Sequence, residues 1–537
     1  MKRFVPLFAV TAVITCVTTT RAAIITVNTE DNTDFSAGKT NLVTAINSLH
    51  DGDTISFNVP GTAGQVHYLQ TPPNGYPIIT NNGVTIDGYS QPGASPNSNP
   101  IHAPNNARIK ICIDSRNGNG TDMGKIESLG PPGDKGLAIL TAPAVDPNKN
   151  DTSLCDPSNS DCGGPPCIKG LSFARDYTHS CANWHVSGCW IAVDPADGQI
   201  KYLADGTTVA APAIAIAAYR HRDASSSNPV YPQPGIIGVA AGSSNPRAEF
   251  NVIINGYGFD SEGLNYRISG NFWGVLPDGM TSADFSVLNG GAQLGDGFVE
   301  IGRDVSNTVI GTDGDGINDA DEGNVFGGFA KGGAVMINLY STPQTNIVIA
   351  GNTFGVAVDG VTRFTNTAAV VDGFNSQATA QFGSDFDGLS DAVEGNVVFN
   401  NNPFATVFPD PAAAAEPRLL ALSPGSRVSF RGNKLVNNDL APFSYADGSG
   451  SRLDSFTNYA APFMSTNADI IPILSTNSTF PRLTGTCAVG VAPYTNIIID
   501  VYQLDPEGWE NGKLFGLSEL ITPDGVTNGF PQGRKYL

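Results

Sequence analysis

Ser269-Gly270-Asn271-Phe272-Trp273-Gly274-Val275, with Asp278-Gly279 just beyond, is the stretch that decides the fold, because it returns. It reads Ser187-Gly188-Cys189-Trp190-Ile191-Ala192-Val193 before Asp197-Gly198, and Ala350-Gly351-Asn352-Thr353-Phe354-Gly355-Val356 before Asp359-Gly360. A weaker copy is Arg431-Gly432-Asn433-Lys434-Leu435-Val436. The shared glycines stand at 188, 270, 351 and 432, steps of 82, 81 and 81 residues. Such a constant interval belongs to a repeat array, whose units bury apolar faces against their neighbours. One third of it, about 27 residues, predicts one coil of a β-solenoid.

Composition points the same way. The 537 residues include 61 Gly and 37 Pro, and only 15% are charged. Short β-branched runs bounded by Gly, Asn, Asp and Pro dominate, and long amphipathic helical stretches are nearly absent. The chain therefore reads as all-β. Gly-Asn recurs with Asn271, Asn324, Asn352, Asn396 and Asn433. Asparagine tolerates left-handed backbone and its amides stack in ladders, so these residues are expected at solenoid corners in a structural role.

The first residues read as an export signal. Lys2 and Arg3 precede an apolar stretch over 4–17, and Thr20-Arg21-Ala22-Ala23 offers small residues for cleavage after residue 23. The stretch is too short to span a membrane, and no later segment is long enough. Without these residues the 29 basic side chains fall by three, to 26 against 50 acidic. That balance excludes nucleic acid as a partner and suits divalent cations or simple solubility. Five of the seven remaining cysteines, Cys155, Cys162, Cys167, Cys181 and Cys189, crowd together, which predicts disulfides in a loop-rich insertion over 145–235. Cys112 and Cys487 stand apart.

Residues 24–60 predict an N-terminal cap: strand Ile24 to Asn28, a helical stretch Asn41 to Leu49, and strand Asp53 to Phe57. The end of a solenoid needs such a cover because it exposes core and unpaired backbone. The β-helix is expected over 61–466. From 467, Ile470 to Leu474, Phe480 to Thr484 and Ile497 to Tyr502 suggest the opening strands of a β-sandwich-like module. About 70 residues are too few for a full sandwich, so an incomplete C-terminal module is expected.

Asp53-Thr54-Ile55-Ser56-Phe57, Val84-Thr85-Ile86-Asp87-Gly88-Tyr89-Ser90-Gln91-Pro92-Gly93 and the repeated Gly-Asn-x-Phe/Trp-Gly together resemble secreted bacterial right-handed parallel β-helix proteins of the pectin-lyase-like superfamily. The resemblance covers residues 24–465. It implies a fold but no single activity, since that superfamily holds lyases, hydrolases, esterases, epimerases and adhesins.

Two polar constellations could carry chemistry. The frame Asp-x-Asp-Gly-x-x-Asp-x-x-Glu-Gly-Asn occurs as Asp313, Asp315, Asp319 and Glu322, and again as Asp385, Asp387, Asp391 and Glu394. Carboxylates this close around a Gly turn suit calcium, which takes six to eight oxygens; an acidic corner turn held by local hydrogen bonds is the plainer alternative. The spacing is not that of an EF-hand, and no organic cofactor is implied. Within 145–235, Tyr177, His185, His221 and Arg222 offer an acid, a base and a cation for a polysaccharide lyase, or else are solvated loop charges. Arg267, Arg431 and Lys434 beside the Gly-Asn corners are further cations to consider. The polygalacturonase-type set Asn-Thr-Asp, Asp-Asp and Gly-His-Gly is not assembled here, nor is the arginine motif of classical pectate lyases. Function is therefore expected in one of three forms outside the cell or on its surface. The first is an extracellular protein interacting with polysaccharide, for which exposed Trp190 and Trp273 would be the platform. The second is a lyase or glycoside hydrolase acting on an acidic polysaccharide, and the third a calcium-braced adhesin-type component of the envelope.

Overall fold

A computed structural model describes residues 22–62, 64–72, 75–116, 126–128, 133–141, 169–174, 183–202, 209–211, 214–219, 234–254, 258–261, 264–283, 298–301, 305–329, 334–337, 344–364, 370–374, 378–385, 387–399, 418–422, 427–436 and 441–445, with strands 473–474, 485–486, 497–503 and 515–521 beyond. The chain visits three sheets in turn: Tyr266–Ser269 in the first, Asn271–Trp273 in the second, Val299–Ile301 in the third, then Ser306–Gly311 back in the first. The sheets hold eleven, ten and nine strands, and every pairing within them is parallel, which is the topology of a parallel β-helix.

The core follows from strand alternation, which sends every second side chain inward. The inner row of the first sheet runs Ile55, Ile86, Asp134, Val186, Ile237, Ile268, Ile310, Ile349 and Phe382, each in register with the next. The facing row of the second sheet carries Trp273, Phe326 and Phe354, whose rings stack at centroid distances of 6.1 and 4.8 Å. Parallel in-register pairing lays like on like, so one apolar residue per rung becomes a continuous column.

The coil length differs from the expectation of about 27 residues. Strands of the first sheet begin at 184, 235, 266, 306, 345, 379 and 427, so each 81-residue interval holds two coils and not three. Hydrogen bonding fixes the strands, but the corners between them are free to vary, and unequal corners hide the rung count from the sequence. The four glycines do occupy one corner, between the first and second sheets, all with positive φ: 62, 69, 68 and 69° at Gly188, Gly270, Gly351 and Gly432.

That corner carries the asparagine ladder. The side-chain amide of Asn251 donates to Asn271, Asn271 to Asn324, Asn324 to Asn352, Asn352 to Asn396 and Asn396 to Asn433, at 2.8–3.0 Å. Each also bonds backbone of a neighbouring rung, so groups that a buried corner would leave unpaired are satisfied. At the opposite end of the first-sheet strands a second, exposed ladder joins Asn265, Asn307 and Asn346, all in the left-handed region.

At the start of the chain, strand Ile24–Val27 pairs with Thr54–Phe57 as the end strand of the first sheet, and helix Leu42–Asn47 is capped by the Asn41 side chain. Within 145–235, strands Lys169–Ala174, Trp184–Ser187, Trp190–Ile191 and Ile214–Tyr219 belong to the three sheets, so this segment carries rungs as well as loops. Cys189, grouped by sequence with the disulfides, is a buried free thiol. Its backbone amide donates to Asn251 and its sulfur to the Ser187 carbonyl, putting it where the ladder would otherwise have an asparagine. Cys112 is also free and buried; Cys155, Cys162, Cys167, Cys181 and Cys487 lie outside the described residues, as do residues 1–21 of the export signal. Beyond 467, Ile473–Leu474 pairs antiparallel with Gly485–Thr486, and Ile497–Gln503 with Phe515–Ile521. Among the described residues no helix is long and apolar enough to cross a membrane.

Candidate cation site in the stacked corner loops

From Gly188 onward, the tight glycine corner alternates with a long one. The long corners are residues 239–250, 312–323 and 384–395, each followed by a ladder asparagine, Asn251, Asn324 or Asn396. Gly238, Gly311 and Gly383 open them with φ of 88, 101 and 97°. A Cβ there would sit 1.8–1.9 Å from a carbonyl oxygen of the next rung, so no other residue fits. Each loop folds back over the preceding tight corner: Gly188 N donates to Glu249 O, Gly270 N to Glu322 O and Gly351 N to Glu394 O. Glu249, Glu322 and Glu394 are thus equivalent, although the first loop lacks the acidic frame that marks the other two.

The two acidic loops gather six of the eight expected carboxylates. Oxygens of Asp313, Asp319 and Glu322 lie within 4.8 Å of one another, and so do those of Asp385, Asp391 and Glu394. Asp315 and Asp387 are outside these groups and accept from the local amides of Ile317 and Leu389 at 2.8 and 2.7 Å, as the acidic-turn alternative requires. Asp319 is held by the Thr312 hydroxyl at 2.7 Å and the Gly316 amide at 2.8 Å. The loops also grip each other: the Ser390 hydroxyl donates to Asp319, the Asn318 amide to the Ser243 carbonyl, and Arg247 to Asp321. Glu394 Oε1 rests against Gly314, where a Cβ would come within 2.1 Å of it.

The two clusters differ in the cation beside them. Arg267, on the outer face of the first sheet, reaches Asp313 and Glu322, both at 2.5 Å. Along the same row, register carries Arg267 through Val309 to Val348, which is the residue that stands relative to Glu394 as Arg267 stands to Glu322. In the first loop that place is taken by His185, 4.0 Å from Glu249. Burial pushes the Glu322 carboxyl up to about 7 against the pull of Arg267. Glu394 is also pushed up to about 7, first by burial; the bond from the Ser384 hydroxyl opposes this, and the charges of Asp385 and Asp391 reinforce it. Three clustered carboxylates with no guanidinium at the equivalent place form an all-oxygen donor set suited to a hard divalent ion.

Of the groups considered for catalysis, only His185 is in the described residues; its Nε2 lies 2.7 Å from the Gly238 carbonyl. Tyr177, His221 and Arg222 lie outside them. Arg267 is the cation of the first acidic cluster, Arg431 donates to the Asp385 carbonyl at 2.9 Å, and Lys434 sits 5.8 Å over the Phe399 ring. Trp190 and Trp273 are 5% and 0% exposed, so neither forms a surface platform. No protein-family model, curated protein or solved structure matches this chain.

Proposed function

We propose that this chain is an extracellular structural or adhesive β-helix whose corner loops are braced by calcium. The observation that carries the proposal is buried Glu394 grouped with the half-buried Asp391 and the exposed Asp385, while Val348 stands where the twin cluster has Arg267. A divalent ion there would do for the second cluster what a guanidinium does for the first. Asp385, Asp391 and Glu394 would hold it, and it would pin adjacent loops of the stack. Extracellular calcium modules bind with dissociation constants of about 10⁻⁴–10⁻³ M, an affinity that a partly hydrated three-carboxylate site suits. The extracellular part of this reading rests on the basic Lys2 and Arg3 followed by the apolar stretch over 4–17.

Within this reading the coil is right-handed, as parallel crossovers overwhelmingly are. Strand Ile24–Val27 and the buried helix face of Leu42, Ala45 and Ile46 serve as the cap. A pectin-lyase-like ancestry accords with the parallel rungs, and the strands beyond 467 would form the appended module. Polysaccharide engagement, without Trp190 or Trp273 as platforms, would have to use other surfaces.

The test is thermal unfolding of the full chain in millimolar calcium and in chelator. A ligand of the native state at a hundred times its dissociation constant contributes about 2.7 kcal/mol. The midpoint should rise with calcium in the wild type and in Glu322→Gln, and not in Glu394→Gln. An unchanged wild-type midpoint defeats the proposal.

A further inference from the structure

The inner row of the first sheet contains one residue that does not belong there. Asp134 is in register with Ile86 on one side and Val186 on the other, in a column otherwise made of Ile, Val and Phe. It is 1% exposed, and neither carboxyl oxygen has a hydrogen-bond partner among the described residues. Leu171 and Phe173 of the third sheet and Ile139 of the second share this core. A buried polar group without a partner is rare enough to need an explanation.

Among the described residues, the titratable groups around it do not supply a counter-charge. Lys135 and Asp87 pair with each other at 3.0 Å from the alternate, outer positions of their strands. His185, also on the outer face, is 2.7 Å from the Gly238 carbonyl. The Cys189 thiol, whose sulfur donates to the Asp134 backbone carbonyl, is pushed up to about 12, chiefly by burial. Tyr89, whose ring packs on Gly136, is also raised by burial and donates its hydroxyl to the Gly188 carbonyl. None of these groups offers Asp134 a positive charge.

We propose that Asp134 is a proton-operated weak point in the stack: protonated, it closes the rungs of strands Thr85–Asp87, Gly133–Lys135 and Trp184–Ser187, and ionised, it favours their local opening. A neutral carboxyl is close in size to its aliphatic neighbours, whereas an unpaired carboxylate in that column loses its hydration with nothing in return. Burial alone pushes the carboxyl up to about 7. The sign follows: the closed rung binds one more proton than the open one, so stability is full below about pH 4 and is lost as pH rises through about 7. Elsewhere the stack is expected to be insensitive to this proton.

Hydrogen exchange on the full chain in chelator, corrected for intrinsic rates, tests it. In the wild type the opening constant of amides in Thr85–Asp87 and Trp184–Ser187 should rise about tenfold per pH unit from about pH 4 to about 7, then level. Asp134→Val should abolish that rise, and Asp134→Asn, which keeps the shape and polarity without the charge, should do the same if the valine variant does not fold. A rise that persists in either folded variant, or a flat wild-type profile, overturns the proposal. Glu322 and Glu394 titrate in the same range, so amides of Thr345–Ala350 serve as the control for their contribution.

Discussion

Replacing Asn352 by alanine should be among the most destabilising single changes in the corner ladder. Its side chain makes five hydrogen bonds among the described residues. Its oxygen accepts from the backbone and side-chain amides of Asn324 at 3.1 and 2.9 Å, and its amide donates to Asn396, Ile310 and Ala350 oxygens. Alanine would strand the Asn324 backbone amide outright and weaken the satisfaction of the others, all of them buried. At about 1–3 kcal/mol for each buried group left without a partner, the expected loss is about 3–5 kcal/mol. Asn433 makes three such bonds, so Asn433→Ala should cost less. Guanidinium unfolding followed by tryptophan fluorescence reads the difference, since Trp273 Nε1 itself lies 3.3 Å from Asn324 Oδ1. Because repeat arrays can unfold in stages, exchange of the Asn324 and Asn396 amides should be measured beside it. A loss below about 1 kcal/mol for Asn352→Ala, or a larger one for Asn433→Ala, would refute the view that the ladder holds the corner.

Gly270→Ala should cost at least about 2 kcal/mol, because φ is +69° and a Cβ would stand 2.5 Å from Val239 Cγ2, whereas Gly360→Ala, equally left-handed but in open space, should cost about 1; equal losses in thermal unfolding would contradict the crowding argument. Arg267→Met should cost about 3–5 kcal/mol at pH 8 by leaving Glu322 buried without its cation. The loss should shrink at pH 5, since Glu322 has a raised folded value and its protonated form, favoured in the native state, is lost as pH climbs through about 7; equal losses at both pH values would exclude that carboxyl as the cause.

How much of this was legible in the sequence depends on what each residue's spacing encodes. The glycines at 188, 270, 351 and 432 announce a shared corner because positive φ there demands glycine, and the following asparagines announce the ladder. The number of rungs was not legible, because the loop 239–250 has Ala240, Gly242 and Pro246 where its twins have aspartates; only Glu249 and Asn251 keep the frame. Sequence adjacency also misled over Cys189, whose surroundings are set by neighbouring rungs and not by nearby cysteines. Most of the acidic site was readable as a motif. Arg267 was visible only as a cation near a corner, because its role depends on register across some fifty residues of chain. Asp134 gave no signal at all, since Gly133-Asp134-Lys135 looks like a turn until the pairing turns its middle residue inward.

The alternation of tight and long corners sets the increments in which such a molecule can grow or shrink. Each glycine corner from 188 to 351 hands its amide proton to a glutamate carbonyl of the long loop beside it. Excising one turn of the spiral would bring two tight bends together and strip one of them of that acceptor. Among the described residues, the one place where two tight bends already touch, at Gly136 and Gly188, is filled by the Tyr89 ring reaching over from an earlier loop. Length change that keeps every bend seated must therefore come in pairs of turns, about 81 residues at a time, which is the interval the sequence itself keeps.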